Sequence, residues 1–302
     1  MALDLPALHA RLRAAAPLIQ NITNTVVQQF SANVLLAVGA SPAMLDHEAD
    51  AAQFARLADA ILINFGTATN QQLLAADAAI RVANQQHKPW VLDPVSMGVI
   101  DFRSERIRQA AESHPTVIRA NASEVAALAG QGQGGRGVDA TDEVDAVLVA
   151  AMALAQTTGA VVAVSGARDA IVEVSGSTVR LARVGGGHAF MPRVVGTGCS
   201  LGSLTAAYLA AAQAPSRGRA PHSPDTATSP ATPSARPAGP FEAAIAAHAH
   251  FKLAGEAAGK AATGPGSFAV AFIDALDALT SEEMGAADVH IEVREMPDSC
   301  GV

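Results

Sequence analysis

Short apolar runs alternate with longer alanine-rich segments along most of the chain, and this alternation predicts the fold class. Four runs have the nearly uninterrupted apolar character of buried strands: ILINF (61–65), WVLD (90–93), TVIRA (116–120) and AVVAVS (160–165). The segments between them, LLAADAAIRVANQQ, RSERIRQAAES and EVDAVLVAAMALAQTTG, are typical of helices. Continuous apolar strands separated by helices indicate a parallel α/β sheet that is covered on both faces.

The pattern changes after residue 170. IVEVSG followed by STVRLARV (171–184) predicts a β-hairpin whose turn contains the Gly-Ser pair. Beyond it the pattern predicts helices only, at 198–213, 241–262 and 266–278, and we find no internal repeat. We therefore expect one domain, residues 1–302, with three layers: a mostly parallel central sheet and helices on both faces.

One segment, from Ala214 to Pro240, interrupts this pattern. It holds seven of the 16 prolines and almost no large apolar side chains. Such a segment buries too little surface to offset the entropy lost on ordering. We predict a low-complexity, disordered insertion at 214–240, on the surface between two helices, and a docking segment is the less favoured alternative. Because the cost of closing a loop grows slowly with its length, the insertion need not disturb the fold.

Composition and charge narrow the class of protein. The 302 residues are 50% apolar but only 4% aromatic, and the formal net charge of −8 argues against a nucleic-acid or anionic-membrane surface. The two cysteines, Cys199 and Cys300, suffice for neither a disulfide framework nor a zinc site. The N-terminus lacks the pattern of a signal peptide, and the longest apolar run, from Ala146, is about half of what a membrane span requires. We therefore expect a cytoplasmic protein.

VVGTGCSLGS (194–203) is a candidate anion site, because glycines lead directly into a helix that starts near Cys199. Free N–H groups at a helix start attract anions such as phosphate. An ordinary strand-to-helix turn, with Cys199 as a small buried side chain, explains the spacing equally well.

Two carboxylates and an arginine follow predicted strands. Asp93, in DPVSMG, ends a strand where ligands of open parallel sheets bind, and it suits a metal or a phosphate-bearing ligand as well as an Asp-Pro turn. Glu124, in RANASE, has the spacing of a capping box with Asn121, or it shares a cation with Asp93 through water. Arg119 is either a phosphate contact or an ordinary surface arginine.

Four further motifs are weak when each is taken alone. NITN and GASPAM are polar or bending segments, VSGARD is a strand end that opens into a glycine turn, and GPGSF starts a helix. Ser267 in the last motif is as well explained by a helix cap as by a ligand contact.

Taken in order, NITN, GASPAM, INFGT, DPV, RANASE, VSG, GTGC and GPGSF resemble the motif series of hydroxyethylthiazole kinase, a ribokinase-like enzyme of thiamine salvage. Each motif is short, but eight of them in one order are highly specific. The resemblance runs from about Pro17 to Ala278, apart from the insertion. It implies a ribokinase-like fold and a homotrimer with the substrate site at the subunit interface.

The resemblance also implies a reaction and the residues that serve it. The family phosphorylates the hydroxyl of 4-methyl-5-(2-hydroxyethyl)thiazole with ATP and Mg²⁺. The residues that match the family's motifs are Asn24, Met44 and Gly196 for the thiazole, Arg119, Ser165 and Gly198 for ATP, and Asp93 and Glu124 for the magnesium–phosphate region.

Several positions depart from the family's motifs. DPVGAG has become DPVSMG, so that Ser96 and Met97 replace small residues, and Met97 would crowd a phosphate lying against that loop. Arg-Gly-Asn has become Arg119-Ala120-Asn121, and Ser165 keeps the hydroxyl of the usual threonine.

Cys199 occupies the position where many ribokinase-like kinases carry an aspartate that acts as base for the substrate hydroxyl. Phosphoryl transfer depends mainly on alignment and on neutralising charge at the γ-phosphate. We therefore assign Cys199 to the catalytic region as a weak base or a positioning group, and consider a covalent nucleophile the weakest reading. Two alternatives to a thiazole kinase stay open: a kinase of another small alcohol such as hydroxymethylpyrimidine, and a non-catalytic sensor of thiazole or nucleotide.

Overall fold

The computed structural model describes residues 3–130, 142–214 and 238–296, and these form a single nine-stranded sheet with helices on both faces. Hydrogen-bonded neighbours in the sheet follow the order β2-β1-β3-β4-β5-β6-β7-β8-β9. In chain order they are β1 Leu18–Ile22, β2 Ser41–Ala43, β3 Ala60–Asn64, β4 Trp90–Asp93, β5 Val117–Asn121, β6 Val161–Ser165, β7 Asp169–Ser175, β8 Thr178–Val184 and β9 Val289–Glu295.

The sheet has a parallel part and an antiparallel part. Strands β1 to β6 are parallel, and β7, β8 and β9 continue the sheet in antiparallel pairing. Helical crossovers join most of the parallel strands, as parallel pairing requires, whereas a short hairpin turn joins β7 to β8. This confirms the predicted α/β class and the predicted hairpin.

Three strands were missing from the sequence prediction. PLIQNITN and GASPAM contain β1 and β2 rather than only turns, and β9 follows the late helices, so the expectation of helices only was wrong. Gln20 and Asn21 are buried in β1, and their polarity hides the strand. β9 alternates apolar and charged side chains at the sheet edge and pairs with β8, which is remote in sequence.

The helices pack in two layers against the sheet. They are α1 Leu5–Ala15, α2 Gln28–Ala37, α3 Glu48–Leu57, α4 Asn70–Gln85, α5 Asp101–Ala111, α6 Ala122–Leu128, α7 Asp142–Ala146, α8 Leu148–Thr158, α9 Thr197–Gln213, α10 Pro240–Ala261, α11 Pro265–Ala278 and α12 Ser281–Met284. Leu62 packs in one apolar cluster with α1, α2, α9, α10 and α11, while its neighbours Ile61 and Ile63 pack in the other with α3 to α6 and α8. Both faces of β3 are therefore buried, which explains its uninterrupted apolar sequence.

The predicted insertion at 214–240 falls largely on residues 215–237, which lie outside the described residues, so its disorder stays a prediction. On either side, α9 ends at Gln213 and α10 begins at Pro240, close to the predicted helix ends. Within the described ranges, no helix combines the length and the apolar character needed to cross a bilayer.

Candidate active site

The parallel strands all point their carboxyl ends toward one edge of the sheet, and most of the predicted site residues lie there. Asn24 and Met44 follow β1 and β2, Asp93 ends β4, Arg119 lies near the end of β5, and Ser165 ends β6. The start of α9, with Gly196, Gly198 and Cys199, lies beside Arg119: a Cβ atom built on Gly198 would lie 3.4 Å from its Nη1. Ligands of open α/β sheets bind at this edge.

A chain of buried amides links the start of α9 to β4. Asn24 donates through Nδ2 to the Cys199 Sγ at 3.4 Å and to the Asn64 Oδ1 at 3.0 Å. Asn64 in turn donates through Nδ2 to the Asp93 Oδ2 at 2.7 Å. The Asn64 Oδ1 also accepts from the Gly66 N–H at 3.0 Å, which fixes the orientation of this amide. Cys199 and Asp93 therefore belong to one network.

Arg119 ties that network to β6. Its Nη2 donates to the Ser165 Oγ at 2.6 Å, and its Nη1 lies 3.8 Å from the Asp93 Oδ1. Only 9% of the Arg119 side chain is exposed, so it is not an ordinary surface arginine. A guanidinium at the start of a helix, facing a cavity, suits an anionic phosphate group.

Asp93 is fully buried and carries an unusual pKa. Burial raises the pKa of Asp93 to about 7; the Arg119 charge opposes the rise, Glu124 adds to it, and the Asn64 hydrogen bond opposes it. Its Oδ1 makes no hydrogen bond with any described residue. A buried carboxylate oxygen without a donor is suited to a cation.

Glu124 has the geometry of the predicted capping box. Its Oε2 accepts from the Asn121 N–H at 3.0 Å, and the Asn121 Oδ1 accepts from the Glu124 N–H at 2.9 Å. The Glu124 Oε1 accepts from the Ser96 N–H at 3.1 Å and so holds the turn after β4. Burial raises the pKa of Glu124, which the Asn121 N–H, Arg119 and the Ser96 N–H oppose. Since each oxygen keeps a second lone pair, the cap does not exclude a cation contact.

The turn before α9 depends on glycine. Gly196 has φ +99°, a conformation that favours glycine, and a Cβ atom there would lie 3.0 Å from the Phe30 Cδ1, so that the ring would have to shift. Thr197 anchors the turn by donating through Oγ1 to the Met191 carbonyl at 2.8 Å. The N–H groups of the next two residues, Gly198 and Cys199, fall in the first helical turn, where the helix itself supplies no acceptor.

A cavity of about 870 Å³ opens beside this helix start. Its lining includes Arg119, Ser165 and three residues of the α9 turn, Gly196, Gly198 and Cys199. This volume lies within the range of ligand pockets in proteins. The structure thus brings five of the nine predicted site residues to one cavity.

The other four predicted residues lie outside that lining, although Asn24 and Asp93 connect to it through the amide chain. Glu124 acts on Asp93 electrostatically, and Met44 is half-buried beyond β2. Sequence reasoning missed Asn64 as a site residue, although the polar residue that ends the run ILIN was a usable signal. It also assigned no role to Asp169 and Lys252, which line the cavity.

Comparison with solved structures shows that this fold occurs in other proteins. The pyridoxal kinase of Staphylococcus aureus, solved with AMP-PCP and pyridoxal, aligns over 93% of this chain and 99% of its own, with a TM-score of 0.55 at 14% identity. That likeness shows that the two chains share a fold.

The chain belongs to the hydroxyethylthiazole kinase family, whose sequence model matches residues 9–220. The hydroxyethylthiazole kinase of Corynebacterium efficiens is 47% identical over 273 residues, which cover 90% of this chain and 92% of the relative. That of Corynebacterium glutamicum is 46% identical over 284 residues, covering 94% and 96%. The solved structure of the Pyrococcus horikoshii protein, at 31% identity, covers 97% of this chain and 99% of its own with a TM-score of 0.77.

These relatives confirm the predicted family, fold and enzyme class: this chain is a kinase of the hydroxyethylthiazole kinase family. The departure at DPVSMG does not weaken that conclusion. Met97 is only 1% exposed and packs in the apolar cluster with Ile63 and Leu92, so it does not crowd the cavity. The sensor alternative rested on this loop alone and loses its support.

Proposed function

We propose that this enzyme transfers the γ-phosphoryl group of ATP to the hydroxyl of 4-methyl-5-(2-hydroxyethyl)thiazole at the start of α9. The observation that carries the proposal is the convergence of two contact chains on that helix start. One comes from the thiazole side, through Asn24 to Cys199, and the other from the nucleotide side, through Ser165 and Arg119.

On the nucleotide side, Arg119, Ser165 and the backbone of Gly198 bind the phosphates. The guanidinium and the free N–H groups of the helix start stabilise charge that develops on the transferred phosphoryl group. On the other side, Asn24, Met44 and Gly196 hold the thiazole so that its hydroxyl lies in line with the γ-phosphate. Alignment of this kind supplies much of the rate acceleration in phosphoryl transfer.

We assign Asp93 and Glu124 to the Mg²⁺ that accompanies ATP. No group of three or more His, Cys, Asp or Glu side chains suited to a metal occurs among the residues with described positions. Two carboxylates nonetheless fit magnesium, which usually binds through one or two carboxylates together with phosphate oxygens. The Asp93 Oδ1, which accepts no hydrogen bond from a described residue and lies 3.8 Å from the Arg119 Nη1, is suited to this role. When bound, the ion would neutralise charge on the phosphates.

Cys199 serves as a positioning group in this proposal. Burial raises the pKa of its thiol to about 11, and Asp93 adds to the rise, while hydrogen bonds from Asn64 and Asn24 and the Arg119 charge oppose it. The thiol therefore carries its proton at neutral pH and is a poor base. Its sulfur instead orients the Asn24 amide beside the substrate hydroxyl.

We also propose the homotrimer and the cytoplasmic location that the family resemblance implies. Two exposed apolar side chains flank residues of the thiazole site and support a subunit contact there: Val26, 65% exposed, near Asn24, and Val195, 67% exposed, before Gly196. Sedimentation equilibrium tests the oligomer, and a monomer at micromolar concentration would contradict it.

The test of the reaction is ADP formation with each of two alcohols. We expect turnover with the thiazole alcohol and little with hydroxymethylpyrimidine. Arg119→Gln should raise KM for ATP, whereas Arg108→Gln, at an exposed position of α5, should leave it unchanged. Equal turnover of the pyrimidine, or no ADP formation with the thiazole, would contradict the proposal.

A further inference from the structure

A buried ionic cluster lies behind the nucleotide side of the cavity. Asp169, at the start of β7, is 2% exposed, and two residues of α10, His248 and Lys252, face it with 0% and 7% exposed. The Asp169 Oδ2 lies 2.7 Å from the His248 Nδ1, and its Oδ1 lies 3.1 Å from the Lys252 Nζ. Buried charges are costly unless they are paired. The charges of this cluster are paired, and the cluster also fixes the backbone next to it.

The cluster holds the turn between β6 and β7. Lys252 donates through Nζ to the carbonyls of Gly166 at 2.7 Å and Ala167 at 3.1 Å. Asp169 accepts from the Gly166 N–H at 2.8 Å through the same oxygen that faces Lys252. The ammonium group also forms an ion pair with Asp169. Lys252 therefore directs its charge and two of its hydrogen bonds at the turn.

The aliphatic part of the Lys252 side chain also packs against a second segment of the cavity wall. A Cβ atom on Gly186 would lie 3.3 Å from the Lys252 Cβ, and one on Gly187 would lie 3.1 Å from its Cδ. Both glycines line the cavity, as do Gly166 and Ala167. One side chain thus contacts two segments of the cavity wall, the β6–β7 turn and the loop after β8.

The neighbours of Asp169 favour its ionised form. Burial raises the pKa of Asp169, but the hydrogen bond and charge of His248, the charge of Lys252 and the Gly166 N–H outweigh burial, so that the net shift is downward. One carboxylate oxygen faces Lys252, and His248 fixes the second.

We infer that Lys252, Asp169 and His248 are positioning residues for the nucleotide: they hold the β6–β7 turn and the glycine loop after β8 in the geometry that binds ATP. The inference rests on the proposed function, because the nucleotide is assigned to this side of the cavity next to Ser165. It makes the cluster specific for one of the two substrates, since the three thiazole residues, Asn24, Met44 and Gly196, belong neither to the β6–β7 turn nor to the glycine loop after β8.

The test compares Lys252→Met with Lys260→Met, a substitution of an exposed lysine on the same helix. Lys252→Met keeps the apolar stem and removes the three donors. We expect Kd for ADP, measured by calorimetry, and KM for ATP to rise about tenfold or more, with KM for the thiazole alcohol within about twofold of wild type. Lys260→Met should change none of these constants.

A second variant separates the loss of the Lys252 donors from misfolding. Such a control is needed because Lys252→Met alone leaves the Asp169 carboxylate buried without the Lys252 charge. The double variant Asp169→Asn with Lys252→Met removes both charges. The amide oxygen of the introduced asparagine can still accept from the Gly166 N–H. Its NH2 group can donate to the His248 Nδ1 when that ring carries its proton on Nε2. The double variant too should bind ADP about tenfold more weakly, because the two turn carbonyls still lack their donor.

Three results would overturn the inference: unchanged Kd for ADP in both variants, an equal rise in KM for both substrates, or no ADP binding by the wild-type enzyme. Failure of the proposed reaction is a separate outcome. An enzyme without turnover whose ADP affinity still depends on Lys252 would refute the reaction and support the cluster.

Discussion

The protonation state of Cys199 follows from where its side chain lies. A helix start by itself lowers the pKa of a thiol, and the position of Cys199 in the sequence suggests that effect. The structure adds burial and the nearby Asp93 carboxylate, both of which disfavour the thiolate, and they outweigh the Asn64, Arg119 and Asn24 contributions. Burial therefore outweighs the helix start at this residue.

Alkylation of Cys199 by iodoacetamide should be slow in the folded enzyme. In a Cys300→Ser variant, where Cys199 alone remains, a pKa of about 11 against an ordinary value of 9.0 leaves a far smaller thiolate fraction at pH 8. The higher nucleophilicity of such a thiolate recovers part of the rate, so we expect alkylation about tenfold slower than in urea.

The pH profile of the same reaction is the check. The alkylation rate of the folded enzyme should still be rising above pH 10, whereas the rate in urea should level off at a lower pH. Because the folded-state pKa is raised, the buried thiol stabilises the fold less as the pH rises through 9 toward 11. Faster alkylation in the folded state than in urea at pH 8 would show a lowered pKa and restore the thiolate as a candidate base.

Among the elements, the short helix α6 connects stability to chemistry, because its cap is also a site residue. Glu124 closes the capping box with Asn121 and holds the Ser96 N–H of the turn after β4. The two readings of Glu124 that the sequence leaves open are therefore not exclusive. The same carboxylate caps the N-terminus of α6 and lies close enough to Asp93 to raise its pKa.

Glu124→Gln should lower kcat much more than it lowers stability. Glutamine keeps one acceptor for the cap, so the free energy of unfolding should fall by about 1 kcal/mol. It loses the charge that we assign to the magnesium–phosphate region, so kcat should fall by about tenfold or more. Both are measured on one preparation, by urea unfolding and by initial rates.

The matched control is Glu283→Gln in α12, where Thr280 and Glu283 form a capping box of the same type on an exposed helix. It should leave kcat unchanged. If Glu124→Gln loses stability while kcat stays at the wild-type value, Glu124 is a cap and nothing more.

The turn after β4 carries backbone strain that the family's usual glycine would remove. Ser96 has φ +66°, in the left-handed region. For Ser96→Gly, relief of roughly 1–2 kcal/mol of strain exceeds the roughly 0.5–1 kcal/mol entropic cost of glycine. We expect a gain of about 0.5 kcal/mol and a rise in Tm of about 1–2 °C. Ser96→Ala, which removes the hydroxyl but keeps the strain, should show no gain.

Elements were predictable from sequence where local pattern and burial agree. WVLD predicts β4 with its observed bounds, because both faces of that strand are buried. The buried amides of β1 and the charges of β9 conceal strands whose stability comes from remote partners. The motif order named nine residues, of which the structure brings five to one cavity, and their roles stay predictions. Lys252 was not predictable, because its acceptor on Gly166 lies 86 residues away.

At the scale of the whole molecule, one of the two apolar clusters, the one that contains Leu62, is formed by elements on both sides of the insertion. Helices α9 and α10, which flank residues 215–237, both pack in the cluster with α1, α2 and α11. The cavity lining likewise combines residues from both sides, from Arg119 to Lys252. Among the described residues, this cluster and the cavity wall thus combine both sides of the insertion.

Replacing residues 216–236 with a short Gly-Ser linker should therefore leave the enzyme nearly intact. A shorter loop costs less entropy to close, so Tm should stay within about 2 °C of wild type or rise slightly. Differential scanning calorimetry and steady-state kinetics with both substrates provide the check. A large fall in Tm or kcat would show that the segment packs on the domain or takes part in catalysis.

The position of β9 has a consequence for biosynthesis. The edge of β8 stays uncovered until residues 289–295 have left the ribosome, about 100 residues after β8 itself. At typical elongation rates that interval is on the order of 5–20 s. During it the nascent chain presents an open strand edge, the feature through which unfinished sheets aggregate. The yield of soluble enzyme should thus depend on how quickly translation passes the last strand.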